Sequence, residues 1–281
     1  VYAKSYLTYN SDTKMYSGTD KQILAYQKLA NKAMKLNAEY DKLSDKFNDF
    51  IDKHISLQSE ISKIVDEKNA EYDKAMKCYK EALPRYEKSD DKIADVARTY
   101  CKVGVIYQQQ SEYNKSMEYF EKALSMQVKE FGTEEHVDVG ETYVRMGWTC
   151  SKMSKYDQAM EYFQKSLKIR LKVLDEGHVD VGDSYHKIGW VYYLKAEYDK
   201  ALEYYNKGLD IRINKLGKDH TDVAMTYNNI GALYGNQSKF KEALECFNKA
   251  HKISKDKLGD DHQDTKKTLN YIQICKNQLG M

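Results

Sequence analysis

One phrase constrains this chain more than any other, because it returns at a fixed step of 42 residues. The segment His136-Val137-Asp138-Val139-Gly140 reappears as His178-Val179-Asp180-Val181-Gly182, then as His220-Thr221-Asp222-Val223-Ala224, and in worn form as His262-Gln263-Asp264-Thr265. Self-similarity at such a period means a single supersecondary unit copied along the chain, each copy burying its apolar face against its neighbours. Other landmarks keep the same phase. Glycines stand at Gly104, Gly147, Gly189 and Gly231, and an aromatic follows nine residues on, at Tyr113, Tyr156, Tyr198 and Phe240. Three residues further comes a small side chain (Ser116, Ala159, Ala201, Ala243), and four beyond that a second aromatic (Phe120, Phe163, Tyr205, Phe247).

That spacing predicts two helices and a turn per unit. Small residues let two helices approach, and large ones at i, i+3, i+4 and i+7 fill the space between them. In Tyr198-Asp199-Lys200-Ala201-Leu202-Glu203-Tyr204-Tyr205 the apolar positions form one stripe with the charges opposite. A single proline, Pro84, in 281 residues leaves little to interrupt helices. Hydrophobic residues make up 41% and charged residues 31%, a lean balance that suits an elongated array with much surface per unit volume.

The residues Gly189, Tyr192, Tyr198, Ala201, Tyr205, Gly208 and Leu209 resemble the pattern of a tetratricopeptide repeat. The 42-residue length, the His-x-Asp-Val-Ala opening and the Tyr-Asn-Asn-Ile-Gly helix are similar to the repeats of kinesin light chain. The resemblance implies an all-α fold, a right-handed superhelical solenoid of antiparallel helix pairs, with a concave groove that holds short acidic and aromatic peptides. Repeats are expected at 94–135, 136–177, 178–219 and 220–261, with a capping helix at 262–281. Upstream the pattern weakens. The echo of Asn69-Ala70-Glu71-Tyr72-Asp73-Lys74 in Asn37-Ala38-Glu39-Tyr40-Asp41-Lys42 suggests divergent helical repeats over 21–93, after a polar, flexible lead-in at 1–20.

Net charge is +2, so no global field draws the chain to nucleic acid. No apolar run is long enough to insert into a membrane, and no secretory leader is evident. The five cysteines (Cys78, Cys101, Cys150, Cys246, Cys275) are scattered and form no CxxC pair, which reads as free thiols in a reducing, cytoplasmic setting. The phased histidines fall one per repeat, too far apart to share a metal ion with bonds of about 2 Å. They read as loop residues before a helix, with Asp138, Asp180 and Asp222 as N-cap or first-turn acids. The glycines lie mid-helix and cradle no phosphate. No GxxxxGK[ST], HExxH, GxSxG or kinase-like string occurs, so neither an enzyme nor a cofactor is expected.

Function then falls to the concave face. With the glycine as repeat position 8, positions 2, 5, 6, 9, 12 and 13 of each first helix should point inward. Position 6 reads Lys102, Arg145, Lys187, Asn229, and position 9 reads Val105, Trp148, Trp190, Ala232. Position 5 reads Cys101, Val144, His186, Asn228, and position 13 reads Gln109, Lys152, Leu194, Asn236. A row of like charges beside the chain's two tryptophans predicts a site for a peptide with acids and an apolar anchor. The family resemblance adds Asn228 and Asn229 as partners for a ligand backbone. The candidate site is therefore Lys102, Arg145, Lys187, Asn228, Asn229, Trp148 and Trp190. The resulting expectation is an adaptor within a cytoskeletal or transport assembly. The alternatives are a regulatory repeat region of a larger multidomain enzyme and a structural part of a ciliary or axonemal assembly.

Overall fold

A computed structural model describes residues 69–81, 83–84 and 93–281, with isolated positions 28, 32, 42, 46 and 49. The chain divides into two compact units, Val1–Glu71 and Tyr72–Met281. The described residues of the first unit are helical. The expected lead-in at 1–20 and most of the expected repeats at 21–93 lie outside the described residues.

In the second unit the landmarks become helices. After the helical residues 72–81 and 83–84 come α1 (Ile93–Gln109), α2 (Tyr113–Phe131), α3 (Val137–Lys152), α4 (Tyr156–Val173), α5 (Val179–Leu194), α6 (Tyr198–Leu216), α7 (Thr221–Asn236), α8 (Phe240–Leu258) and α9 (Gln263–Leu279). Among the described residues there is no strand. Odd-numbered helices are the first of each pair and even-numbered helices the second, so that each pair packs tightly and stacks on the next.

The glycines explain the pairing. A Cβ at Gly104, Gly147 or Gly231 would lie 2.7–2.8 Å from the ring of Phe120, Phe163 or Phe247, and one at Gly189 would lie 2.9 Å from Tyr205. Those rings are almost wholly buried, so they have nowhere to go. Glycine's helix penalty of about 1 kcal/mol is offset by the aromatic that takes the Cβ's place. The small residues Ser116, Ala159, Ala201 and Ala243 are fully buried at the same crossings, and Ser116 Oγ donates to the Gly104 carbonyl at 2.8 Å.

Two local devices set the helix ends. Each pair turns through one residue in the left-handed region: Ser111, Ser154, Ala196 or Ser238, at φ 59–61°. The next amide then reaches back to a carbonyl five residues earlier, as Glu197 N–H does to Tyr192 O at 2.9 Å, which satisfies an orphan helix acceptor. At the other end, His136, His178, His220 and His262 are the N-caps of α3, α5, α7 and α9. The Nδ1 of each accepts from the amide two residues on at 3.2 Å. The histidine is thus the cap, and the aspartates serve only as first-turn acids facing the positive helix end.

At the far end α9 packs on α8 through Ile272 and Cys275. Gln273 stands at the repeat position of the glycines, and Leu269 and Ile274 are exposed. The five cysteines are free, and burial pushes the thiols of Cys101, Cys150, Cys246 and Cys275 up. Among the described residues no helix is long and apolar enough to cross a membrane.

Candidate peptide-binding groove

The first helices bring most of the expected site together. Trp148 on α3 and Trp190 on α5 stack with ring centroids 4.7 Å apart. Both line a cleft of about 580 Å³ with Lys187, Asn228 and Asn229. Lys152 lies 5.2 Å above the Trp148 ring and adds a cation–π contact. Arg145 instead lines a smaller cavity of about 170 Å³ between α1, α2 and α3. Lys102 is exposed, 5.8 Å from the Tyr79 ring centre.

The basic row is not bare, and here the structure corrects the sequence argument. Position 2, one turn before the row, carries Glu141 and Asp183 in the middle repeats. Arg145 pairs with Glu141 at 3.1 Å and Lys187 with Asp183 at 2.6 Å. The like charges of α3 and α5 are therefore neutralised within each helix. The two asparagines are also engaged. Asn228 Nδ2 donates to Thr268 Oγ1 at 3.0 Å, and the Asn229 amide lies 2.9 Å from His186 Nε2. Position 5 is an inter-repeat contact as much as a groove position, since Val144 and His186 are buried.

Behind the groove runs a network that the sequence reading missed. Arg170 on α4 is 2% exposed. It donates to the Asp180 carbonyl at 2.8 Å, to Ser184 Oγ at 3.0 Å and to Glu141 at 2.9 Å. One repeat on, Arg212 donates to Thr226 Oγ1 at 2.7 Å and to Asp183 at 3.2 Å, and its Nη1 lies 3.1 Å from His186 Nδ1. A guanidinium can only donate, so Nδ1 accepts and Nε2 carries the ring proton. The Asn229 amide must then turn its oxygen to Nε2, which leaves its NH2 for another acceptor.

Burial, then Arg212 and Lys187, push the His186 imidazole down to about 3, so it is neutral. Burial works against ionisation of Asp183, but Lys187, Arg212 and Arg170 outweigh it and hold the carboxyl below its usual range. The signal for this network was present in the sequence. Arg170 and Arg212 recur at one repeat step, and position 2 carries an acid only in the two units that contain them.

This architecture defines a class of protein, an array of stacked α-helical pairs. The Tetratricopeptide repeat family profile matches residues 64–127, 95–172, 138–214 and 223–264. The chain belongs to that family, whose fold is that of a protein–protein interaction scaffold and whose members are generally non-catalytic. Among solved structures it is similar to BtubC (BKLC) from P. vanneervenii, at 17% identity and a TM-score of 0.64, covering 74% of this chain and 83% of that one. It is also similar to the kinesin-light-chain TPR-like repeats of Podosopora anserina, at 17% identity and a TM-score of 0.57, covering 67% and 88%. No curated protein matches the sequence at a significant level.

Proposed function

We propose that the protein is an adaptor whose concave groove holds a segment of a partner protein bearing acids and an apolar anchor. The observation that carries this reading is the Trp148–Trp190 stack. The two indoles are only half buried, although they are large enough to bury, and they border a roomy cleft with polar groups converging on it. Aromatic anchors in such clefts dominate many interfaces. Arg145 and Lys187 serve an acidic segment at modest cost, because Glu141 and Asp183 stay paired with Arg170 and Arg212 when a ligand shares the surface cation. The likeness to kinesin-light-chain repeats supports a cytoskeletal or transport setting.

The test is affinity capture with the wild type and two variants, Trp148→Ala/Trp190→Ala and Lys102→Glu/Arg145→Glu/Lys187→Glu. Circular dichroism verifies that helicity is unchanged. Both variants should lose partners that the wild type retains. Wild-type capture by both, at intact helicity, contradicts the groove assignment.

A further inference from the structure

The four cap histidines are built alike. In each, Nδ1 accepts from the amide two residues on at 3.2 Å. In each, a carboxylate oxygen of that same residue (Asp138, Asp180, Asp222 or Asp264) stands 3.6–3.9 Å from Nδ1. The nitrogen thus has two partners within reach, an N–H to accept from and a carboxylate to donate to. The first needs a bare Nδ1, and the second needs a proton there. One proton decides between them. The four side chains are about two-fifths exposed, so solvent reaches each of them. Imidazole is also the side chain whose charge ordinarily changes between pH 5 and 8.

The remaining charges at each cap are already occupied or lie in the same loop. His136 stacks on Phe131 with ring centroids 3.5 Å apart, beside Glu134 and Glu135, and Lys172 of α4 takes up Glu135. His178 follows Asp175 and Glu176, and Lys215 of α6 meets Asp175 at 3.5 Å. His220 shares a hollow with Lys218, Asp219 and Lys257 of α8. His262 follows Asp260 and Asp261, which pair with Lys255 at 3.0 Å and Lys266 at 2.9 Å. Arg170 and Arg212 reach the backbone carbonyls of Asp180 and Asp222.

We propose that protonation makes the four cap histidines exchange partners together, each releasing its helix amide and donating to its aspartate instead. An imidazolium has no acceptor left for the amide, and a lone cation would oppose the positive end of the helix. The aspartate two residues on supplies the counter-charge. The exchange acts at the joints of the array, because each cap stands in the loop that leads from one helix pair to the next first helix. It also reaches the groove wall. Asp222 and Asp264 line the larger cleft and Asp138 the smaller cavity. A proton at the cap therefore pairs a carboxylate that borders these spaces. Acid frees the first turns of α3, α5, α7 and α9 and lightens the negative charge along the groove, whatever the groove holds.

The exchange can be followed residue by residue in the 15N-labelled protein. At about pH 8, long-range 1H–15N spectra should show all four cap imidazoles protonated on Nε2 with Nδ1 bare. From about pH 8 to about 5.5, a range above carboxylate titration, the amide signals of Asp138, Asp180, Asp222 and Asp264 should move with the midpoints of their own histidines. Their hydrogen exchange, corrected for its intrinsic pH dependence, should speed by about fivefold as the cap is lost. In His220→Asn, a side chain that caps without titrating, the Asp222 amide should hold still while the other three still move. Imidazoles protonated on Nδ1 at pH 8, cap amides that stay still while their imidazoles titrate, or an Asp222 amide that moves as before in His220→Asn each overturn the proposal.

Discussion

The middle and outer repeats share a backbone and differ in what fills the seam between them. In the middle, Arg170 and Arg212 reach across to the next repeat's first turn and are balanced by Glu141 and Asp183. At the ends Gln127 and Ser254 occupy the same place, and cavities open beside them. The difference teaches that a repeat fold tolerates either solution, because the glycine–aromatic crossing already holds each pair together. The seam is free to vary and to carry specificity.

The comparison breaks most visibly if the buried charges are removed. Arg212→Met strips Asp183, Thr226 and His186 of a common donor, and should cost about 3–5 kcal/mol in urea unfolding. Gln127→Ala at the matching site should cost no more than about 1.5 kcal/mol, a lost neutral hydrogen bond. Equal losses would show that the arginine seam is not special.

A smaller effect sharpens the contrast through pH. His186 holds its proton only below about 3 in the folded chain, against 6.5 as its ordinary value. Between those values the unfolded chain binds a proton that the folded one refuses, so stability falls as pH drops. The slope approaches about 1.4 kcal/mol per pH unit. His186→Asn should flatten that slope, whereas Val144→Ala at the same repeat position should leave it intact.

Transplanting the seam gives a smaller change still. Arg98→Glu with Gln127→Arg should place a guanidinium on the Asp138 carbonyl and Thr142, close the small cavity, and alter stability by no more than about 1 kcal/mol, since buried pairs roughly break even. A crystal structure with the cavity still open would count against the seam's role. The contrast should vanish in the turns, which are alike in every repeat. Ala196→Gly relieves a left-handed alanine and should add up to about 1 kcal/mol.

Much of this was legible in the sequence, for a physical reason. Gly147 and Phe163, or Gly189 and Tyr205, must appear together because one occupies the space the other vacates, so the pairing repeats in phase. The register also put Trp148 and Trp190 at one position of neighbouring first helices, where they stack. The seam was not. Arg170 and Arg212 lie in helices whose other charges face solvent, and a buried arginine looks like a surface one until its acid is found on another helix. The histidine caps were hidden because imidazole is a rare N-cap. The turns were hidden because serine and alanine stand where glycine would announce a left-handed residue. Asn228 and Asn229 were read as ligand donors, and the structure gives both a neighbour.

The most direct test of the central claim, that partners are held on the concave face, is photo-cross-linking of the full chain to a captured partner. A photoreactive amino acid replaces Met225, exposed on α7 and lining the cleft beside Trp190, in one variant and Glu161, exposed on the second helix of an earlier pair, in another. The account predicts an adduct from position 225 and none from position 161. Adducts confined to position 161 would contradict it.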